Sequence, residues 1–159
     1  MQVSDEELKR YEELQLLALD FAREDCVEEL KAMLVAGMPV NLSDHKGNTL
    51  LMLASYNGST KTTQMLVDFG AQVDKKNDRG QTPLAGVCFK GYVDIVKILV
   101  KAGTNINENN GMGMTPIMFA SMFGNTEIVE YLSNGESDFK TKAYLGISKI
   151  TSTFKKLKN

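Results

Sequence analysis

Histidine is almost missing from this chain. His45 is the single one in 159 residues, and cysteine occurs twice, at Cys26 and Cys88. A metal site needs clustered nitrogen, sulfur or carboxylate ligands, which one histidine and two distant cysteines do not supply. The two thiols fall in different helical segments and read as small core residues, not as a disulfide. No nucleophile–base pair stands out. Gly111-Met112-Gly113 is glycine-rich but lacks the lysine and hydroxyl of a phosphate loop. The pairs Glu12-Glu13 and Glu28-Glu29 read as solvent-facing helix residues. Neither an enzyme nor a cofactor is therefore expected.

Long apolar runs are also lacking, since none approaches the roughly 20 residues of a membrane span. The acidic start of the chain has no basic region of the kind that opens a signal peptide. A cytoplasmic location without membrane association is the expectation. A basic excess is missing too: the formal net charge is −2 and the isoelectric point about 5.5. Nucleic-acid-binding domains concentrate a basic stripe, so a nucleic-acid partner is not expected. The charge is nonetheless uneven. Residues 1–30 carry ten acidic against three basic side chains, and residues 136–159 carry six lysines against two acids. Two solvated ends would explain this, and head-to-tail association or an anionic partner at the basic end are the alternatives.

What the chain has in abundance is repetition. Gly47, Gly80, Gly113 and Gly146 are spaced by 33 residues, as are Gly58, Gly91 and Gly124, and Gly37, Gly70 and Gly103. A fixed period of this length signals a repeat array. In the clearest unit, Gly80 to Asn107, Thr82 is placed to cap a helix that Pro83 opens. Gly91 ends that helix. A second helix carries Ile95, Val96, Leu99 and Val100 at helical spacing, and Gly103 stops it. The expected unit is two helices and a hairpin turn, and the fold class all-α.

These residues resemble the ankyrin repeat. TPLAGV at 82–87, TPIMFA at 115–120 and the weaker TLLMLA at 49–54 are similar to that family's opening signature, and GYVDIVKIL and GNTEIVEYL to its second helix. Met52, Ala85 and Met118 stand where the family has histidine, and Leu50 replaces the proline of repeat two. The resemblance covers about residues 14–157 and is nearest to short, free-standing bacterial ankyrin proteins. It implies a single domain, 1–159, built as a solenoid. A capping helix and repeat one would span 4–41, repeat two 47–74, repeat three 80–107, repeat four 113–140 and a terminal half-repeat 146–157.

Several local expectations follow from the pattern. Ser4 and Glu7 have capping-box spacing and open one long helix, with Leu8, Tyr11, Leu14 and Ala18 at helical positions beside Leu17 and Phe21. The next helix should turn Leu30, Met33 and Leu34 inward. Thr62 and Thr63 occupy the places of Ile95 and Val96 and should weaken the core of repeat two. Glu136 replaces a terminal glycine, with Gly135 beside it as a substitute. The half-repeat should cap the array through Ile150, Phe154 and Leu157, with lysines opposite.

The resemblance also implies a function: a non-catalytic adaptor, scaffold or inhibitor that holds a protein partner in a concave groove. A structural protein assembling head to tail, or a small enzyme with a site hidden in the groove, are the alternatives, and a monomer is expected. Carried onto this register, the family's variable positions are His45, Lys46, Asn48, Tyr56 and Asn57 in repeat two. Repeat three supplies Asp78, Arg79, Gln81, Phe89 and Lys90. Repeat four supplies Gly111, Met112, Met114, Met122 and Phe123. Tyr56, Phe89 and Met122 share one repeat position and are expected to form a binding strip, unless they fill the core.

Overall fold

The computed structural model describes residues 4–135 and 138–158. The chain divides into two compact units, Met1–Gln72 and Val73–Asn159. The first contains α1 (Asp5–Arg23), α2 (Val27–Val35), α3 (Leu50–Tyr56) and α4 (Thr60–Asp68). The second contains α5 (Pro83–Lys90), α6 (Val93–Lys101), α7 (Pro116–Met122), α8 (Thr126–Leu132) and α9 (Phe139–Lys158). Among the described residues the sole β pairing is an isolated bridge between Ser43 and Thr49.

The helices start where their caps dictate. Ser4 and Glu7 form a reciprocal capping box: the Glu7 amide donates to the Ser4 hydroxyl at 3.2 Å, and the Ser4 amide donates to Glu7 Oε2 at 2.8 Å. The hydroxyls of Thr49 and Thr82 accept from the amides of Met52 and Ala85. Thr115 makes no such bond, and Pro116 alone sets the start of α7. The turn before each helix pair is closed in the same way. Asp44 N donates to Asn48 O, Asn77 N to Gln81 O and Asn110 N to Met114 O, at 3.0, 3.0 and 2.8 Å.

In the first unit α1 lies on α2 and α3, and α4 packs on α2 and α3. Ala18, Leu19, Ala22, Leu30, Leu51, Ala54 and Leu66 are buried there. In the second unit α5 meets α6 and α7, α7 meets α8 and α9, and α8 also packs on α6 and α9. Leu84, Val87, Ile95, Val96, Leu99, Ala120, Ile128 and Val129 form that core. The repeat register is visible in burial: Thr62, Ile95 and Ile128, and beside them Thr63, Val96 and Val129, are each no more than 1% exposed. Thr62 and Thr63 thus face inward like their aliphatic counterparts. Thr63 satisfies its hydroxyl on the Ser59 carbonyl at 2.8 Å, whereas Thr62 Oγ1 is buried without a hydrogen-bond partner.

In α1, Leu8, Tyr11, Leu14 and Leu17 are between 40% and 50% exposed, and the buried contacts come from Ala18, Leu19 and Ala22. Two expectations need correction. The last helix does not start near Gly146. It begins at Phe139 and runs for 20 residues, so Gly146 keeps the repeat register but sits inside a helix. Nor does α9 cap its unit through Ile150, Phe154 and Leu157, which are 60–77% exposed. It packs instead through the buried, small and polar Thr141 and Ser148, whose size lets the helix backbone approach closely. Gly135 has a φ of +70°; Glu136 lies outside the described residues.

Candidate functional site

The exposed tips of the helix pairs are rigid because a side chain organises each one. In the first unit Asp44 Oδ1 accepts from the amides of Lys46 and Asn48, both at 2.9 Å, and Asp44 Oδ2 accepts from the Asn48 side-chain amide at 3.0 Å. Burial works against the charged form of Asp44, but the amide donors of Asn48 and Lys46 outweigh it and hold the carboxyl below its usual range. His45 and Lys46 project into solvent beyond it, and Asn48 is half-buried. In the second unit Asn77 Oδ1 plays the same part, accepting from the amides of Arg79 and Gln81 at 3.0 Å each. Asp78, Arg79 and Gln81 are exposed.

The next tip departs from this pattern by one residue. Asn110, which aligns with Asp44 and Asn77, turns inward and bonds Thr82. Asn109 takes over the tip, accepting from the amides of Gly111 and Gly113 at 2.9 and 3.1 Å. Gly111, Met112 and Gly113 then all have positive φ, and Met112 at φ +51° is a non-glycine residue in that region. A bulky residue there is uncommon. Met112 is also fully exposed, which sets an apolar side chain at the outermost point of the tip. Met114 is half-buried.

The ends of the first helices of each pair carry the large side chains. Tyr56 is 44% exposed, Phe89 37% and Met122 52%, so none of the three is core. Within the second unit the Phe89 and Phe123 rings meet edge to face, with centroids 4.3 Å apart and planes at 67°, a favoured aromatic geometry. Phe123 follows Met122 directly, so Phe89, Met122 and Phe123 make one patch. The Lys90 ammonium stands 5.9 Å over the Tyr92 ring. Asn57, in the first unit, is exposed but commits its side-chain amide to the Leu53 carbonyl at 2.7 Å.

Polar residues that hydrophobic pattern cannot flag hold this patch in place. The Asn125 side-chain amide donates to the carbonyls of Cys88 and Phe89 at 2.7 and 3.2 Å, satisfying the free end of α5. Ser59 does the same in the first unit, donating to the Arg23 carbonyl at 2.9 Å. Arg23, Tyr56, Phe89 and Met122 share one register position, so this clasp recurs at equivalent places. The Lys155 ammonium binds the Phe123 carbonyl.

The thiols are poor nucleophiles. Burial pushes the Cys88 thiol far above its ordinary range. Burial, then the carboxylates of Glu29, Glu24 and Asp25, raises that of Cys26. Among the described residues no group of three or more His, Cys, Asp or Glu side chains is arranged to hold a metal ion, and no helix is long and apolar enough to cross a membrane.

The sequence pattern described as "Ankyrin repeats (3 copies)" matches residues 14–110 and 70–143. The chain is an ankyrin-repeat protein. It is also 46% identical over 46 residues to an ankyrin repeat protein of Pseudomonas aeruginosa. That match involves 29% of this chain, and the chain spans only 27% of the relative's length. Its fold is all-α, as the family's helix-turn-helix unit requires. Ankyrin repeats are in general protein–protein interaction modules and typically non-catalytic, which gives the exposed aromatic patch and ordered tips their context.

Proposed function

We propose that this ankyrin-repeat chain is a non-catalytic adaptor, scaffold or inhibitor that acts in the bacterial cytoplasm by holding another protein. The observation that carries this reading is the patch of Phe89, Met122 and Phe123. It is large, apolar and partly exposed, yet fixed by ring packing and by the Asn125 and Lys155 clasps. Ordered apolar side chains at the surface mark interaction sites, and pre-ordering lowers the entropic cost of binding. Lys90, Arg79 and Gln81 supply a polar rim of the usual kind. Met112 and Met114 extend the contact at the neighbouring tip. In the first unit His45, Lys46, Asn48, Tyr56 and Asn57 hold the equivalent register positions.

The test is comparative affinity capture from cell extract. The native chain and a Phe89→Ala/Met122→Ala variant of equal fold content serve as baits. Each captured protein is then purified and titrated directly against both. Binding that falls at least tenfold in the variant supports the reading. Equal binding to both chains refutes the patch as the contact surface.

A further inference from the structure

The two longest helices each expose several apolar side chains, and the two helices carry opposite charge. In α9, Phe139, Ile147, Ile150, Phe154 and Leu157 are 87%, 47%, 60%, 63% and 77% exposed. With Ala143, also exposed, they follow one another at steps of three or four residues. They therefore lie along one stripe of the helix. At about 100° per residue, Ile150 falls on the side opposite Ser148, which is buried against α8 through a 2.8 Å hydroxyl contact with Thr126. The stripe thus points directly away from the body of its unit. The same geometry sets Lys140 and Lys158 along one margin of the stripe and Lys142, Lys149 and Lys156 along the other. No acidic residue occurs between Phe139 and Lys158.

In α1, Leu8, Tyr11, Leu14 and Leu17 are 50%, 44%, 40% and 41% exposed. At about 100° per residue, Leu8, Tyr11 and Leu14 spread over about 120° of the helix surface, and Leu17 falls on the side opposite Leu8. Asp5 and Glu12 lie beside Leu8, and Glu7 lies between Tyr11 and Leu14 around the helix. Over Asp5–Arg23 there are six acidic side chains against three basic ones.

We infer that α9 of one copy docks along α1 of a second copy of this chain. Leu8, Tyr11 and Leu14 of α1 and the stripe of α9 each offer exposed apolar side chains beside charged ones, and the charges are of opposite sign. Pairing α9 with α9 would set five lysines against five, and pairing α1 with α1 would oppose acids to acids. Charge complementarity selects the mixed pair. Such a contact is heterologous: every copy added leaves one free α1 and one free α9, so assembly continues until it closes or runs out of subunits. Phe89, Met122 and Phe123 take no part, so this inference stands or falls independently of the proposed function.

The test uses the full chain in sedimentation velocity. Wild type should grow in mass with concentration and shrink as salt screens the margins. A variant with Ile150→Ser and Phe154→Ser should be monomeric, as should one with Leu8→Ser and Tyr11→Ser, because each lacks one half of the contact. Mixed in equal amounts, the two variants retain one good α1 and one good α9. They should form a dimer and nothing larger. Circular dichroism checks that both are folded. If either is not, Lys149→Glu with Lys156→Glu replaces the first and Glu12→Lys with Glu13→Lys the second; each alone should be monomeric, and mixing these should restore assembly beyond a dimer, because the reversed charges complement each other as the native ones do. A wild-type monomer at all concentrations, variants that assemble like wild type, or a mixture that stays monomeric would each overturn the inference. So would flotation of the wild type on phosphatidylglycerol vesicles that the α9 variant alone loses, without self-association, since α9 would then be a lipid-facing helix. The Phe89→Ala/Met122→Ala variant should assemble like wild type; its failure to do so would move the contact to that patch.

Discussion

Asn110 Oδ1 accepts two hydrogen bonds from Thr82, from its amide at 2.7 Å and from its hydroxyl at 3.0 Å. Both residues are buried, Asn110 to 6% exposure and Thr82 to 2%. The same Thr82 hydroxyl caps α5 by accepting from Ala85, so one asparagine in the Gly111 turn orients the cap of the preceding pair. Its own amide nitrogen donates to the Glu108 carbonyl at 2.8 Å, which fixes the ring of contacts from the other side.

Replacing Asn110 by alanine leaves the buried Thr82 amide and hydroxyl without their acceptor. Unmade buried hydrogen bonds cost about 1–3 kcal/mol each, so Asn110→Ala should destabilise the chain by about 2–4 kcal/mol in urea unfolding. Asn109→Ala at the exposed tip should cost under about 1 kcal/mol. Equal losses for the two would mean that the inward turn of Asn110 carries no special stability.

The buried, unpartnered Thr62 hydroxyl predicts a gain. Thr62→Val keeps the shape and removes the polar atom, and should stabilise by about 1–2 kcal/mol. Thr63→Val loses the bond to the Ser59 carbonyl and should give no comparable gain. Thermal melting of the two single variants, side by side, checks the contrast. A Thr62→Val protein that melts lower than wild type would show that its hydroxyl finds a partner.

Much of this architecture was legible in the residues. The spacing of Gly47, Gly80 and Gly113 disclosed the repeat, and Ser4 with Glu7 disclosed the first cap. The inward positions of Thr62 and Thr63 followed from their register with Ile95 and Val96. The tail was misread for a physical reason. An amphipathic pattern reveals that Ile150, Phe154 and Leu157 share a face, but not what covers that face. The packed side of α9, with Thr141 and Ser148, is small and polar and leaves no hydrophobic signature. Gly146 fell in register and yet lies in a helix, because a single glycine does not end one. At the candidate site, register alone located Tyr56, Phe89 and Met122. Asn125 and Lys155 act on backbone carbonyls, which no residue pattern displays.

Three glycines separate backbone strain from crowding. Gly91 has a φ of +87°, and a Cβ there would meet the Asn125 side chain at 2.7 Å. Gly124 has a φ of +72°, and its Cβ would meet the backbone nitrogen of Ser152 at the same distance. A side chain can swing away and a helix backbone cannot. Gly91→Ala should cost about 2 kcal/mol, largely from the left-handed conformation, and Gly124→Ala more than that. Gly146 is helical with open space around it, so Gly146→Ala should stabilise by about 0.5–1 kcal/mol. Urea midpoints in the reverse order would contradict the assignment.

Asp44 predicts a pH dependence. Its carboxyl is held below the usual range in the folded chain despite partial burial, through the Asn48 and Lys46 amides. A depressed folded pKa contributes stability that is complete above the unfolded value of about 4. That contribution disappears as pH falls through the folded value. Asn77 accepts the same pair of backbone bonds without a charge, so Asp44→Asn should preserve the turn. The variant should lose less stability than wild type between neutral pH and pH ~2, as measured by urea midpoints at each pH. Parallel curves for the two proteins would show that Asp44 does not contribute to acid unfolding.

Exposure at the aromatic patch sets the last expectation. A buried large aromatic costs about 3–5 kcal/mol on truncation to alanine. Phe89 is 37% exposed, so part of that burial term is absent from the start. What remains includes the edge-to-face contact with Phe123, a geometry that contributes about 0.5–1.5 kcal/mol beyond area, and the covered part of the ring. Phe89→Ala should therefore cost about 1–2 kcal/mol. Met122→Ala, at 52% exposure and with no ring partner, should cost under about 1 kcal/mol. The two should be nearly additive, because the ring that Phe89 packs on belongs to Phe123 and not to Met122. Chemical denaturation of both single variants and the double variant provides the numbers. A Phe89→Ala loss above about 3 kcal/mol would make the ring a core element, and the patch would then owe its order to folding alone.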